Sequence, residues 1–223
     1  METTYIFDFD STLISLESLD ELARIVLAEK TDGAFRFTKL QELTNLGMAG
    51  KLPFDESLRR RLDLFSANRG HVEKLVSKLT PAITESALRH KNWFAENADN
   101  IYIVSGGFKD YIAPVAAKLG IKASHIYANR FVYDKDGAIL GYDRKSLLSQ
   151  PQGKVTQIKA LDLQQPVIMV GDGYTDYEVK KAGVADEFWA YTQYAMRPAA
   201  TENADRVLTS FDEVVIANDL LMV

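Results

Sequence analysis

The chain has 223 residues, 47% of them hydrophobic and 26% charged, and it contains no cysteine. That length suits one α/β domain, or a core with a small inserted module, and the apolar content is enough for a core without covalent staples. The lack of cysteine excludes disulfides, thiolate metal ligands and a thiol nucleophile, while 26 basic against 31 acidic side chains, net −5, argue against nucleic acid as a partner and require any anion site to be built locally.

The opening residues Met1 to Asp10 carry no basic region leading into an apolar one. No apolar run approaches the roughly 18 residues that a bilayer span needs. The expectation is a soluble, unexported, cytoplasmic protein with no membrane partner. In chain order, Tyr5-Ile6-Phe7 reads as a short buried strand stopping at Asp8. Residues 15–75 are rich in Leu, Glu, Lys and Arg at helical spacing, as in Leu16, Leu19, Leu22 and Ile25, and are broken by Gly47, Gly50 and Pro53. They read as a small helical module. Helices are expected over about 71–78 and 84–96, then a strand Ile101–Val104 ending in Ser105-Gly106-Gly107, and a helix over about 108–119. Ile126-Tyr127 precedes a hairpin pattern from Arg130 to Tyr142 centred on Asp134-Lys135-Asp136-Gly137. A helix over 153–161 leads to the strand Val167–Val170, which ends in Gly171-Asp172-Gly173. A helix near 176–182, a strand Glu187–Ala190 and a segment near Arg206–Leu208 with a helix complete the chain. Short apolar strands bounded by helices predict a parallel sheet with right-handed crossovers, whose site lies beyond the C-terminal strand ends.

Each of the three strands ends in residues suited to chemistry. Asp8 and Asp10 flank Phe9, and neighbouring carboxylates repel unless one is protonated or a hard cation joins them. One could then act as nucleophile and the other as general acid and base. Ser105-Gly106-Gly107 offers a hydroxyl and flexible N–H groups before a helix, an anion site in outline. Lys154 could neutralise a phosphate, and Gly171-Asp172-Gly173-Tyr174-Thr175-Asp176 places further carboxylates after a strand. Singly, each has a plain reading as a turn, a tight strand-to-helix connection or a solvated lysine.

In combination and order, DxDST, SGG, Lys and GDGxxD, each of the first two and the last following a strand, resemble the haloacid dehalogenase superfamily of phosphohydrolases along essentially the whole chain. The resemblance implies an α/β fold with a Rossmann-like parallel sheet, a catalytic core in 1–14 and 76–223 and a helical cap in 15–75. It implies Asp8 as nucleophile and metal ligand, and Asp10 as general acid and base with its backbone carbonyl on the metal. Asp172 becomes the third protein ligand of Mg²⁺, Asp176 a supporting carboxylate, and Ser105, Gly106, Gly107, Lys154 and Thr175 the phosphate-binding set. Within the superfamily, the cap resembles that of the phosphoserine phosphatases: Asp10 to Ile14 with Glu17, then Leu19-Asp20-Glu21-Leu22, Met48-Ala49-Gly50, Pro53-Phe54, Leu58 and Arg61-Leu62. There the matching Glu holds the substrate ammonium and the matching Arg its carboxylate, with Met48 and Phe54 packing over it. The offset from Phe54 selects Arg61 among Arg59, Arg60 and Arg61, and Arg197 also has a late counterpart. The implied reaction is phosphoserine plus water to serine plus phosphate, the last step of serine biosynthesis. Ser15-Leu16, Lys51-Leu52 and Ala82 depart from the pattern, the first two in the cap. Alternatives are a phosphatase for phosphothreonine, phosphohomoserine or phosphocholine, a phosphotransferase using an alcohol in place of water, and a non-catalytic protein of the same fold. His71, His90, His125, Trp93 and Trp189 group with none of the motifs, so packing or surface roles are expected of them.

Overall fold

The computed structural model describes residues 3–163 and 166–221. It runs β1 (Thr4–Phe7), α1 (Ser18–Leu27), α2 (Gly33–Met48), α3 (Phe54–Leu62), α4 (Arg69–Leu79), α5 (Glu85–Arg89), α6 (Lys91–Glu96), β2 (Ile101–Phe108), α7 (Lys109–Ala116), β3 (Ile126–Asn129), β4 (Phe131–Tyr133) and β5 (Ile139–Tyr142). It continues with α8 (Gly153–Lys159), β6 (Val167–Gly171), α9 (Tyr174–Lys181), β7 (Glu187–Tyr191), α10 (Pro198–Thr201), β8 (Arg206–Leu208) and α11 (Phe211–Leu221). Among the described residues, no helix is long and apolar enough to cross a membrane.

Six strands form one sheet in the order β3-β2-β1-β6-β7-β8, every neighbour parallel. All four residues of β1 are buried, as a central parallel strand covered on both faces requires. The chain steps from β1 to β2 on one side and later returns to β6 on the other, so β1 is where the strand order reverses. Phe7 is level with Ile103 and Val170. The residues just beyond β1 and β6 and the Ser105-Gly106 stretch late in β2 are therefore brought to one crevice, which is where this topology places ligands.

Alternation along the strands divides the core. Tyr5 and Phe7 face an aromatic layer with Trp93, Phe94 and Phe211, in which Phe94 and Phe211 stack at 4.8 Å. Ile6, Val104 and Met169 face Val155, Ile158, Val179 and Phe188. The edge-on contacts of Tyr5 with Trp93 at 5.2 Å and with Trp189 at 5.9 Å account for both tryptophans as core residues.

Two elements differ from the sequence expectation. The strand expected to stop at Val104 continues through Ser105-Gly106-Gly107 to Phe108, its register on β3 shifting between Val104 and Phe108, so the glycine pair is absorbed as an irregularity. The helix expected over 84–96 is broken at His90, which leaves helical geometry (φ −96°, ψ 26°) and meets Asp212 Oδ1 at 2.7 Å. Helices α1 to α4 occupy the expected helical stretch, and residue 75 falls inside α4. The expected hairpin is β4–β5, its turn tied by Asp134 Oδ1, which accepts from Asp136 N at 2.9 Å and Ala138 N at 2.8 Å.

Candidate active site

Asp8, the first residue beyond β1, is 5% exposed. Its Oδ1 accepts from Phe9 N at 2.7 Å and its Oδ2 from Lys154 Nζ at 2.8 Å. The chain then turns sharply, with Ser11 in the left-handed region (φ 52°). For a non-glycine residue that conformation is strained and is kept only where the surroundings impose it. Here the turn aims Ser11 Oγ at Glu17 Oε1, 2.8 Å away. It also delivers the Asp10 carboxyl to the first residue of α1, where Ser18 Oγ donates to Oδ2 at 2.9 Å. Asp10 Oδ1 is buried without a hydrogen-bond partner among the described residues. Burial, then Glu17 and Asp8, push this carboxyl well above the usual carboxylate range, with Ser18 opposing. A carboxyl whose proton is held above the usual carboxylate range is suited to general-acid work.

Lys154, in the first turn of α8, is 6% exposed and also reaches Asp176 Oδ1 at 2.6 Å. Burial alone would lower its pKa, but the carboxylates of Asp176 and Asp8 outweigh it and keep the ammonium charged. Asp176 Oδ2 accepts from Gly173 N at 3.0 Å. A Cβ on Gly171 would lie 2.3 Å from Asp176 Cγ, so that carboxylate comes this close only because residue 171 has no side chain. Asp172 is 1% exposed; its Oδ2 meets Arg197 Nη1, whose Nη2 lies 3.0 Å from Glu17 Oε1.

Asp8, Asp172 and Asp176 are buried and offer oxygens within 4.8 Å of one another. Asp172 Oδ1 has no hydrogen-bond partner among the described residues. Among the described residues, five carboxylates gather around this point (Asp8, Asp10, Glu17, Asp172, Asp176), and the ion pairs to four of them come from Lys154 and Arg197. An excess of buried oxygen anions with an unsatisfied lone pair fits a hard divalent cation and fits no soft one.

Most of the predicted residues share one cavity: Asp8, Asp10, Glu17, Met48, Phe54, Arg61, Ser105, Gly106, Lys154 and Thr175 all line it. Asp172 and Asp176 lie in the carboxylate cluster beside it. Gly107 is outside the lining, its N–H donating to Ser105 Oγ at 3.1 Å. The roof is close to the floor: a Cβ on Gly106 would lie 2.3 Å from Phe54 Cζ, and one on Gly50 (φ 68°) 2.9 Å from the Tyr174 ring. Among the three consecutive arginines, Arg59 and Arg60 point outward in pairs with Asp63 and Glu56, their side chains 50% and 48% exposed, while that of Arg61 is 8% exposed. Leu19, Thr44, Gly47 and Ser57 also line the cavity and were not predicted. Leu19 was read as one of the apolar positions at helical spacing and Gly47 as a break in that stretch, while Thr44 and Ser57 are single polar residues inside ordinary helices with no spacing signal.

The chain matches the family model of haloacid dehalogenase-like hydrolases over residues 5–180. It is 35% identical to the chloroplastic phosphoserine phosphatase of Arabidopsis thaliana over 216 residues, covering 96% of this chain and 70% of that protein. It is 32% identical to the phosphoserine phosphatase of Homo sapiens over 212 residues, covering 94% and 90%. The crystal structure of a phosphoserine phosphohydrolase-like protein from Francisella tularensis superposes with a TM-score of 0.87 at 28% identity, covering 97% of this chain and 99% of the other. A structure of a phospho-aspartyl intermediate analogue of phosphoserine phosphatase gives 0.77 at 26% identity, covering 97% and 99%.

Proposed function

Because the chain belongs to the haloacid dehalogenase-like hydrolases and, within them, to the phosphoserine phosphatases, we propose that it hydrolyses phosphoserine to serine and phosphate through a phosphoaspartate on Asp8. One observation carries this reading. A single cavity gathers Asp8, Ser105, Gly106 and Lys154, the residues proposed for the phosphate, together with Glu17 and Arg61, an anion and a cation proposed for the two charges of the amino-acid end.

An Asp8 carboxylate oxygen attacks phosphorus and the bond from phosphorus to the serine oxygen breaks. Asp10 gives its proton to that departing oxygen. Asp10, now a carboxylate, takes a proton from water, whose oxygen attacks phosphorus, and the bond to Asp8 breaks to restore both groups. Lys154 and the N–H groups around Ser105 and Gly106 hold the phosphoryl oxygens throughout, so positioning and charge compensation lower the barrier. Asp8, Asp172 and the backbone carbonyl of Asp10 would hold Mg²⁺, with Asp176 in support. The ion would neutralise carboxylate charge and polarise the phosphoryl group. Helices α1 to α4 act as the cap that reads the amino-acid end, Met48 and Phe54 closing over it. Cytoplasmic residence belongs to the same reading.

The test is phosphate release from phosphoserine, phosphothreonine, phosphocholine, a sugar phosphate and an aryl phosphate, with Mg²⁺ and with excess EDTA. Phosphoserine leads in kcat/KM by orders of magnitude, EDTA stops turnover, and Asp8→Asn abolishes it on every substrate. A different leading ester removes the roles of Glu17 and Arg61; activity surviving Asp8→Asn removes the covalent mechanism.

A further inference from the structure

Arg61 enters the cavity with support behind it. Its Nη1 lies 3.3 Å from Thr44 Oγ1 and 3.9 Å from Asp20 Oδ1, and Thr44 Oγ1 donates to that same Asp20 oxygen at 2.8 Å. Asp20 comes from α1, Thr44 from α2 and Arg61 from α3, and all three are buried. Arg61 Nε has no hydrogen-bond partner among the described residues. The contacts with Asp20 and Thr44 therefore take one corner of the guanidinium fork and leave donors for a ligand. Since a carboxylate is best bound by two parallel N–H donors, its affinity depends on the plane in which the guanidinium is held. Arginine has many rotamers, and whatever fixes them before the ligand arrives strengthens binding.

We propose that Asp20 and Thr44 are positioning residues for substrate specificity, holding the Arg61 guanidinium in the plane that receives the carboxylate of an amino-acid phosphomonoester. This rests on the reading of Arg61 as the carboxylate's partner. Asp20 does not touch the phosphate end, so its influence falls on the amino-acid end alone. A merely structural tie between three helices behaves differently: its loss weakens the cap and lowers rates on every substrate.

The experiment compares phosphoserine with phosphoethanolamine, which lacks only the carboxylate, and with an aryl phosphate. The proteins are wild type, Thr44→Val, Asp20→Asn, Arg61→Ala, and each of the first two variants combined with Arg61→Ala. Thr44→Val and Asp20→Asn each raise KM for phosphoserine about tenfold with kcat nearly unchanged, and alter the two carboxylate-free substrates by less than about threefold. In the Arg61→Ala background neither change has a further effect beyond about twofold, because the residue they act through is gone. Equal losses on all three substrates, or the same loss with Arg61 absent, overturn the proposal. If Asp20→Asn does not fold, Thr44→Val carries the test, since it removes one hydroxyl and keeps the shape. A wild-type enzyme that handles phosphoserine and phosphoethanolamine alike removes the Arg61 reading itself. A wild-type preference with additive double variants removes only the role of Asp20 and Thr44.

Discussion

Lys154 Nζ stands 2.8 Å from Asp8 Oδ2, the side chain at the head of α8 clamping the carboxylate at the end of β1. The same ammonium holds Asp176 at 2.6 Å. One buried cation thus serves two carboxylates, and taking it away leaves both uncompensated. Removing one partner of a buried pair costs about 3–5 kcal/mol. Lys154→Met accordingly loses activity by at least about a hundredfold, and its melting temperature falls by roughly 6 °C or more. Thermal melts and phosphate release check both. Added Mg²⁺ restores part of the melting temperature but not the rate, since the phosphate still lacks its ammonium.

Gly106 and Phe54 face each other closely between roof and floor. Gly106→Ala puts a methyl where the Phe54 ring lies, only 2.3 Å from Cζ. Moving the ring lifts α3, which also carries Arg61. Gly106→Ala therefore lowers kcat/KM for phosphoserine by about tenfold or more, as overpacking by one methyl costs roughly 1–3 kcal/mol. Gly106→Ala combined with Phe54→Ala recovers part of the loss on an aryl phosphate. A double variant no better than the worse single one would mean that the ring is not what the methyl meets.

The carboxylate cluster was legible in the sequence because Asp8 and Asp172 directly follow strands. A short apolar run that stops at Asp8 or Gly171 fixes both the element and the end at which chemistry collects, and the parallel topology then brings those ends together. Arg61 was legible only through its spacing from Phe54, and it is the one buried member of its triplet. Asp20 and Thr44 were not legible as a pair. An acidic residue in the first turn of a helix is ordinary, and Thr44 is one polar position in a sixteen-residue helix. Their relation exists only once α1, α2 and α3 are packed. The extension of β2 through two glycines was also hidden, because glycine weakens a strand interior and the register shift between Val104 and Phe108 that accommodates the pair exists only once β2 is laid against β3.

Asp20 makes stability depend on pH in a stated direction. Burial raises its pKa from 3.8 to about 6, against Arg61 and Thr44 and with Glu17 and Glu21 adding to the rise; Glu21 itself is paired with Lys78. The folded state therefore holds this proton where the unfolded chain has released it. The contribution is fully present below the unfolded pKa and declines as pH rises toward about 6. A shift of this size corresponds to on the order of 3 kcal/mol. Asp20→Asn, which does not titrate, gains on wild type between pH 4 and pH 7. Urea unfolding of both proteins at the two values measures the difference. A constant gap would show that Asp20 has no raised pKa in the folded protein.

The arginine triplet separates specificity from charge. Arg59 and Arg60 share the sign and the helix of Arg61, so a general attraction for anionic substrates would need all three. Burial distinguishes them: exposed ion pairs such as Arg59–Asp63 and Arg60–Glu56 contribute at most about 1 kcal/mol. A charge-assisted contact from a buried guanidinium to a carboxylate is worth roughly 1.5–3 kcal/mol. Arg61→Ala thus loses at least about tenfold in kcat/KM on phosphoserine and far less on an aryl phosphate. Arg59→Ala and Arg60→Ala stay within about threefold of wild type on both substrates. Equal losses from all three variants would assign the effect to the net charge of α3, and loss on the aryl phosphate alone would place Arg61 at the phosphate end instead.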